Sequence, residues 1–311
     1  MRLDDVRAQH QRIRTAGRKH VNEIVRLVSA CGAAADDAAR AAAVHACRDL
    51  FETWMEAGEL RLRPQAAAEG ATSSDAALAA YREWLRDKYG RFVRLLRDQL
   101  DESPVAELSL DTLLLLSAIE ARHAKRPAGA VHLDALETAG GAFGELVDGL
   151  VRAPAPRPAL LARLREAAVP CLDAAFHLLR HVHRIAKACA RERGAHADRL
   201  VELLLLIAPP AADVAAPDAQ FLALDASALA PSEWPPAAAS LLKARAHRRE
   251  FCRAWRATLV APLGASARRT ALARLPHAVL PHAPRPLRYC DILSDAVTAG
   301  GVEALLSLKG A

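Results

Sequence analysis

Aromatic and strand-forming residues are scarce in this chain. Its 311 residues include only four Trp, three Tyr and six Phe, so aliphatic side chains must fill most of any core. Val, Ile, Tyr, Phe and Thr favour the pleated backbone and are sparse, whereas Ala, Leu, Arg and Glu favour the helix and dominate. That imbalance excludes a sheet-rich fold. Cysteine is limited to six residues with no C-x-x-C pair, which argues against a zinc ribbon or a disulfide-framed secreted domain. They are expected as small buried hydrophobes in a reducing compartment. The longest apolar run, Leu203 to Ala208, falls far short of the roughly 20 residues that span a bilayer. Met1-Arg2-Leu3-Asp4-Asp5 has no apolar leader segment, so the sequence predicts a soluble, non-membrane protein. Phosphate-loop, dinucleotide-fingerprint, zincin and nucleophile-elbow motifs are all missing. No catalytic residue, cofactor, metal or small-molecule substrate is therefore expected, and the chain is read as a non-enzyme.

Acidic residues are almost missing from one stretch, and what remains there is the strongest signal in the sequence. Residues 243–290 hold eleven Lys or Arg against a single acid, Glu250, a net +10 in a chain of net +6. The rest must sum to −4, so positive charge is concentrated rather than smeared, as in proteins that meet a polyanion or an acidic partner. Arg248, Arg249, Arg253 and Arg256 fall at helical spacings, and Arg268, Arg269 and Arg274 follow. Together these seven form the expected RNA-binding or acidic-partner face. A solvated helix face is the plain alternative, but ordinary exposed helices mix both signs.

Helical periodicity begins at Val21, Ile24, Val25 and Val28. Helices are predicted at about 21–28, 36–58 (closed by Gly58), 75–101, 105–123 and 132–152. A polar loop over 63–75 precedes the third, with Ser74 or Asp75 as its cap. Pro154, Pro156 and Pro158 interrupt the chain. Helices at about 158–193 (bent or split at Pro170) and 196–208 come next, then a Pro-rich stretch read as a surface loop or disordered insert. Basic helices at 237–260 and 266–278 lead to a final pair at 286–298 and 300–308. The expected organisation is amino-terminal helical repeats over 1–152, middle helices over 153–208, an irregular loop over 209–236 and a basic module over 237–311. Paired helices of this length with short connectors predict an all-α, HEAT-like solenoid.

The basic module also carries a run of words. These are Phe251-Cys-Arg-Ala-Trp255, then Val279-Leu280-Pro281-His282, Asp291-Ile-Leu293, Gly300-Gly301, and Leu305-Leu306-Ser-Leu-Lys-Gly310. In order and spacing this resembles the carboxy-terminal signature of the nucleolar complex protein 4 family, in the CCAAT-binding-factor/maintenance-of-killer group. Arg18-Lys19-His20-Val21-Asn22 and Tyr81-x-x-Trp84-Leu85 are similar to blocks near that family's start. The family pattern runs on past Gly310-Ala311, so the chain is expected to be either a truncated product or a naturally shortened member. The resemblance implies a non-enzymatic scaffold of the nucleolus and nucleus, acting in pre-ribosomal RNA processing for the small subunit. It further implies pairing with a nucleolar protein 14 homologue and contact with other pre-ribosomal particle proteins. Pre-ribosomal RNA itself would meet the basic face. A helical-repeat adaptor for chromatin or transcription factors is the rival from another class.

Three smaller features carry weaker expectations. His177 and His181 share a helix face at a metal-ligand spacing, but His183 points away and no carboxylate joins them. A basic, partly exposed face is the preferred reading. Trp84 and Trp255 sit at core spacing, and core packing is preferred over base-stacking platforms for these and for Trp54, while Trp234, in the irregular stretch, is a partner-anchor candidate. Gly300-Gly301 is read as a helix-closing turn rather than a phosphate cradle.

Overall fold

A computed structural model describes every residue except 35, 63–72, 102–103, 124–135, 138–139, 193–195, 225–233, 235 and 309–311. Most of the expected 63–75 loop, and Gly310 of the signature, lie outside the described residues. The described residues are helical with no strand, so the chain is all-α. It divides into two compact units, Met1–Gly149 and Leu150–Ala311.

The first unit opens with α1 (Leu3–Ala16), a helix the sequence reading missed. Its buried stripe is Val6, Gln9 and Ile13, and the polar Gln in the middle hides the apolar period. A 3-10 turn over Gly17–Glu23 leads into α2 (Ile24–Ala33). Val25, expected on the apolar stripe, is exposed, and Leu27 takes the buried place. Helix α3 (Asp37–Glu56) starts where the Asp36 carboxylate accepts the Ala39 N–H at 2.7 Å, satisfying an orphan donor. It ends before Gly58, at φ +68°, as expected. Helices α4 (Ser73–Asp98), α5 (Ala106–His123) and α6 (Ala142–Arg152) follow. Helix α4 begins before Ser74 and Asp75, so neither is its cap. Phe51 centres the core, with its ring centroid 5.2 Å from Tyr89 and 5.5 Å from both Trp54 and Phe92. Four of the few aromatics thus gather at one point.

One buried carboxyl group ties this unit together. Glu120, on α5, accepts the Tyr89 hydroxyl at 2.6 Å and the first N–H of α6, from Ala142, at 3.1 Å to each oxygen. A side chain from another helix therefore does the work of an N-terminal cap.

In the second unit, α7 (Pro158–Ala167) and α8 (Leu172–Glu192) are split around Pro170 as the sequence suggests. Helix α9 (Ala197–Leu205) comes next. The expected 237–260 helix is instead two, α10 (Pro236–Leu241) and α11 (Ala244–Val260). The break comes from the preceding stretch. Val214 N–H donates to the Leu242 carbonyl at 2.8 Å, and Asp213 accepts the Ala244 N–H at 3.0 Å and the Lys243 ammonium at 3.1 Å. Helix α12 (Ala265–Arg274) is likewise capped from afar, by Asp198 accepting the Gly264 N–H at 2.7 Å. It runs into a π turn over Leu275–Val279, where Pro276 supplies no N–H. Two 3-10 turns, α13 (Cys290–Ala299) and α14 (Gly301–Leu308) complete the chain.

The described part of the irregular stretch is ordered. The Asp173 carboxylate accepts the N–H groups of Ala174 and Leu222 at 2.8 Å and of Ala223 at 2.9 Å. The Leu172 N–H reaches the Gln220 carbonyl at 2.8 Å. Trp234 is buried with its ring centroid 5.4 Å from Phe221. It therefore pins the described part of this segment internally, which corrects the partner-anchor reading and, over residues 209–224, the disordered-insert one; residues 225–233 and 235 lie outside the described residues.

Within each unit, successive helix pairs stack in two layers: α2 on α4 and α3 on α5 in the first, α8 on α11 and α9 on α12 in the second. This stacking is compatible with the expected helical repeat. Helices of the expected middle segment and of the basic module share one core in the second unit.

Candidate polyanion-binding groove

Amphipathic α11 buries Phe251, Ala254, Trp255, Thr258 and Leu259. That leaves Arg249, Arg253 and Arg256 on its exposed side at intervals of four and three, one continuous row. Helix α8, the main partner of α11, contributes Lys187 and Arg191 from the corresponding position along its own length. The 3-10 segment Pro286–Tyr289 and the turn before it add Arg285 and Arg288. These three walls enclose a groove of about 970 Å³.

Two hydrogen bonds hold the walls in register. His183 Nδ1–H of α8 donates to the Arg253 carbonyl at 3.1 Å, and the Tyr289 hydroxyl donates to the Cys252 carbonyl at 2.8 Å. Burial lowers the His183 imidazole's pKa more than its carbonyl partner raises it, so it favours the neutral form and adds no charge. Burial also drives the Cys252 thiol up to about 11, which keeps it protonated and unreactive as a nucleophile. Seven cations therefore face one space, and among the described residues none that lines it is acidic.

Glu250 lies just beneath. Its side chain is only 4% exposed and accepts from Arg249 Nε and Arg253 Nη1, both at 3.1 Å. A buried carboxylate held this way offsets its desolvation through two charge-assisted bonds, and it fixes the two guanidinium groups in place.

The structure redistributes the expected basic face. Arg249, Arg253 and Arg256 come together. Arg248, one position round the helix, is half-buried and donates to the Ala211 carbonyl instead. On α12, Arg268 pairs with Glu303 at 2.9 Å, and Arg269 donates to the Ala265 carbonyl of its own helix. Arg274 is exposed but does not line the groove. Lys187, Arg191, Arg285 and Arg288 were missed. Of these, Arg285 and Arg288 were counted in the basic stretch but not singled out, and only the packing of α8 against α11 reveals the other two.

The signature words largely fold inward. Phe251, Trp255, Val279 and Leu293 are buried, and the Phe251 ring lies 6.2 Å from Trp255 and 6.1 Å from His282. Leu280 and Leu306 are half-buried, whereas Pro281, Asp291 and Leu305 are exposed. Gly300 and Gly301 take φ +75° and +63°, which L side chains rarely adopt, in keeping with a helix-closing turn. His177 and His181 do share a face, but it is buried rather than partly exposed. Burial drives His177 down to about 3, and Arg184 donates to His181 Nδ1 at 2.6 Å. Among the described residues no group of three or more His, Cys, Asp or Glu could hold a metal ion. Trp54 and Trp255 are core, as expected. Trp84 is only half-buried, stacked on Tyr81 with Lys88 over its ring at 5.7 Å. Among the described residues no helix is long and apolar enough to cross a membrane.

Fold and groove together define an all-α protein with a concave, strongly cationic site. No protein-family model matches the chain, and no curated protein matches it in sequence.

Proposed function

We propose that this chain is a non-enzymatic helical scaffold whose second unit holds an anionic partner in the groove between α8, α11 and the 283–289 segment. One observation carries the reading: seven cations from three separate segments face one space with no acid among the described residues lining it. Self-repulsion among them is a standing cost that a bound anion relieves.

The biological setting we propose is small-subunit ribosome assembly in the nucleolus and nucleus, through pairing with a nucleolar protein 14 homologue. Its support is the resemblance of residues 251–310 to the nucleolar complex protein 4 signature, together with the inward packing of Phe251, Trp255 and Val279 around which such a module would be built. Exposed Val297, Val302 and Leu305 offer apolar surface for the protein partner. The test is affinity capture of the tagged full chain from cell extract, with co-purifying proteins and RNAs identified. Recovery of a nucleolar protein 14 homologue with pre-ribosomal RNA is expected. A catch of chromatin or transcription proteins, without ribosome-assembly factors, overturns the assignment in favour of the rival adaptor.

A further inference from the structure

We infer that the groove's ligand is the phosphodiester backbone of single-stranded nucleic acid, gripped without reading base or sugar. The inference rests on the proposed reading that the groove holds an anion and specifies which anion. Four observations point to it.

The cations are mostly Arg, whose planar forks match phosphate oxygens two at a time, and Glu250 fixes two of them in advance through bonds of 3.1 Å. They form a track rather than a point. Arg249, Arg253 and Arg256 span about 10 Å of helix at 1.5 Å per residue, with Lys187 and Arg191 on the facing helix. The site is concave and about 970 Å³ in volume. That is near the upper end of small-ligand sites, so a flexible strand can enter where a rigid duplex cannot.

The fourth observation is what lines the space between the cations. Ala190, Ala257, Ala283 and Pro284 are small, and Tyr289 is buried with its hydroxyl already bonded to the Cys252 carbonyl. Among the described lining residues no open aromatic face invites a base to stack. Val260 is the one large exposed aliphatic side chain among them, short of the clustered aromatic or aliphatic anchors that dominate a protein interface. A chain recognised by its regularly charged backbone fits this lining better than an acidic peptide does. His183 and Tyr289 both spend their polar hydrogens within the protein, which leaves no neutral donor to recognise a ribose 2′-hydroxyl.

The experiment is fluorescence anisotropy on the full-length protein across a salt series. Its ligands are labelled oligouridylate, oligocytidylate and oligothymidylate of one length, an RNA duplex of that length, and poly-glutamate. The three single strands are expected to bind within a factor of about three of one another, because backbone contacts carry no sequence information. The duplex and poly-glutamate should bind at least about tenfold more weakly. Changing Arg249, Arg253 and Arg256 to Ser should reduce the salt slope by about 2 and weaken binding about 100-fold at 0.1 M salt, from roughly 0.7 per lost contact. Lys187→Ser with Arg191→Ser tests the second wall and should reduce the slope by about 1.4. All five positions are exposed, and an unchanged circular dichroism spectrum checks that each variant folds.

Poly-glutamate binding as tightly as the single strands would replace this inference with an acidic protein ligand, as would duplex preference with a double-stranded one. An unchanged slope in both variants would mean that the groove is not the binding site. Capture of ribosome-assembly proteins by a chain that binds no single strand would sink the inference and leave the proposed scaffold role standing.

Discussion

Glu120 is buried in surroundings far from ordinary solution chemistry. Burial pushes its carboxyl up to about 7, against the smaller downward pull of the Tyr89 hydroxyl and the Ala142 N–H. A folded-state value above the unfolded 4.5 means the folded chain keeps a proton that the unfolded chain has lost. Stability of the first unit is therefore expected to fall as pH rises from 4.5 to 7 and to level off beyond, by about 3 kcal/mol in all. Urea unfolding followed across that range checks it. Glu120→Gln, which cannot ionise, should flatten the profile, and an equally steep profile in the variant would show another group at work. Nothing in the sequence marked Glu120 as buried, because a Glu in a helix reads as surface until its neighbours are known. The row Arg249, Arg253, Arg256 was legible because charge and helical period lie along one segment. Lys187 and Arg191 were not, since they join that row only through tertiary packing.

Most helices could be read directly from apolar period, Pro and Gly. The misses have one physical pattern, which is that partners distant in sequence decided the local outcome. Helix α1 hides its period behind buried Gln9, and the α10–α11 break is imposed by Asp213 and Val214. The Pro-rich stretch looked irregular because its order depends on a carboxylate some fifty residues earlier. Asp173 is fully buried, and burial raises its pKa while the N–H groups of Leu222 and Ala223 lower it. Asp173→Ala strands those two N–H groups, each worth about 1–3 kcal/mol if left unsatisfied. Faster amide exchange and proteolysis in residues 219–224 are expected, with α8 and α11 still helical. Unaltered protection there would mean that the Trp234–Phe221 contact and the Leu172–Gln220 hydrogen bond hold the segment without it.

The two units have separate cores, one around Phe51 and one around Trp255, so two calorimetric transitions are expected. Phe51→Ala should lower one of them, by about 3–5 kcal/mol of stability, and leave the other in place. Of this organisation the sequence showed the break near the prolines, but not the shared core of the middle and basic helices, because contacts between distant segments leave no local mark. The groove itself has a consequence for how the second unit is held together. Glu250 supplies the counter-charge for Arg249 and Arg253 from beneath them, out of the ligand's way. Arg191 alone lies in the last turn of α8, where a helix carries roughly half a negative charge, and α11 has no basic residue in its last turn. Since that compensation reaches only part of the seven, an anion in the groove acts as the missing piece of the fold. Adding a polyanion should move the second unit's melting upward while the first unit's stays where it was.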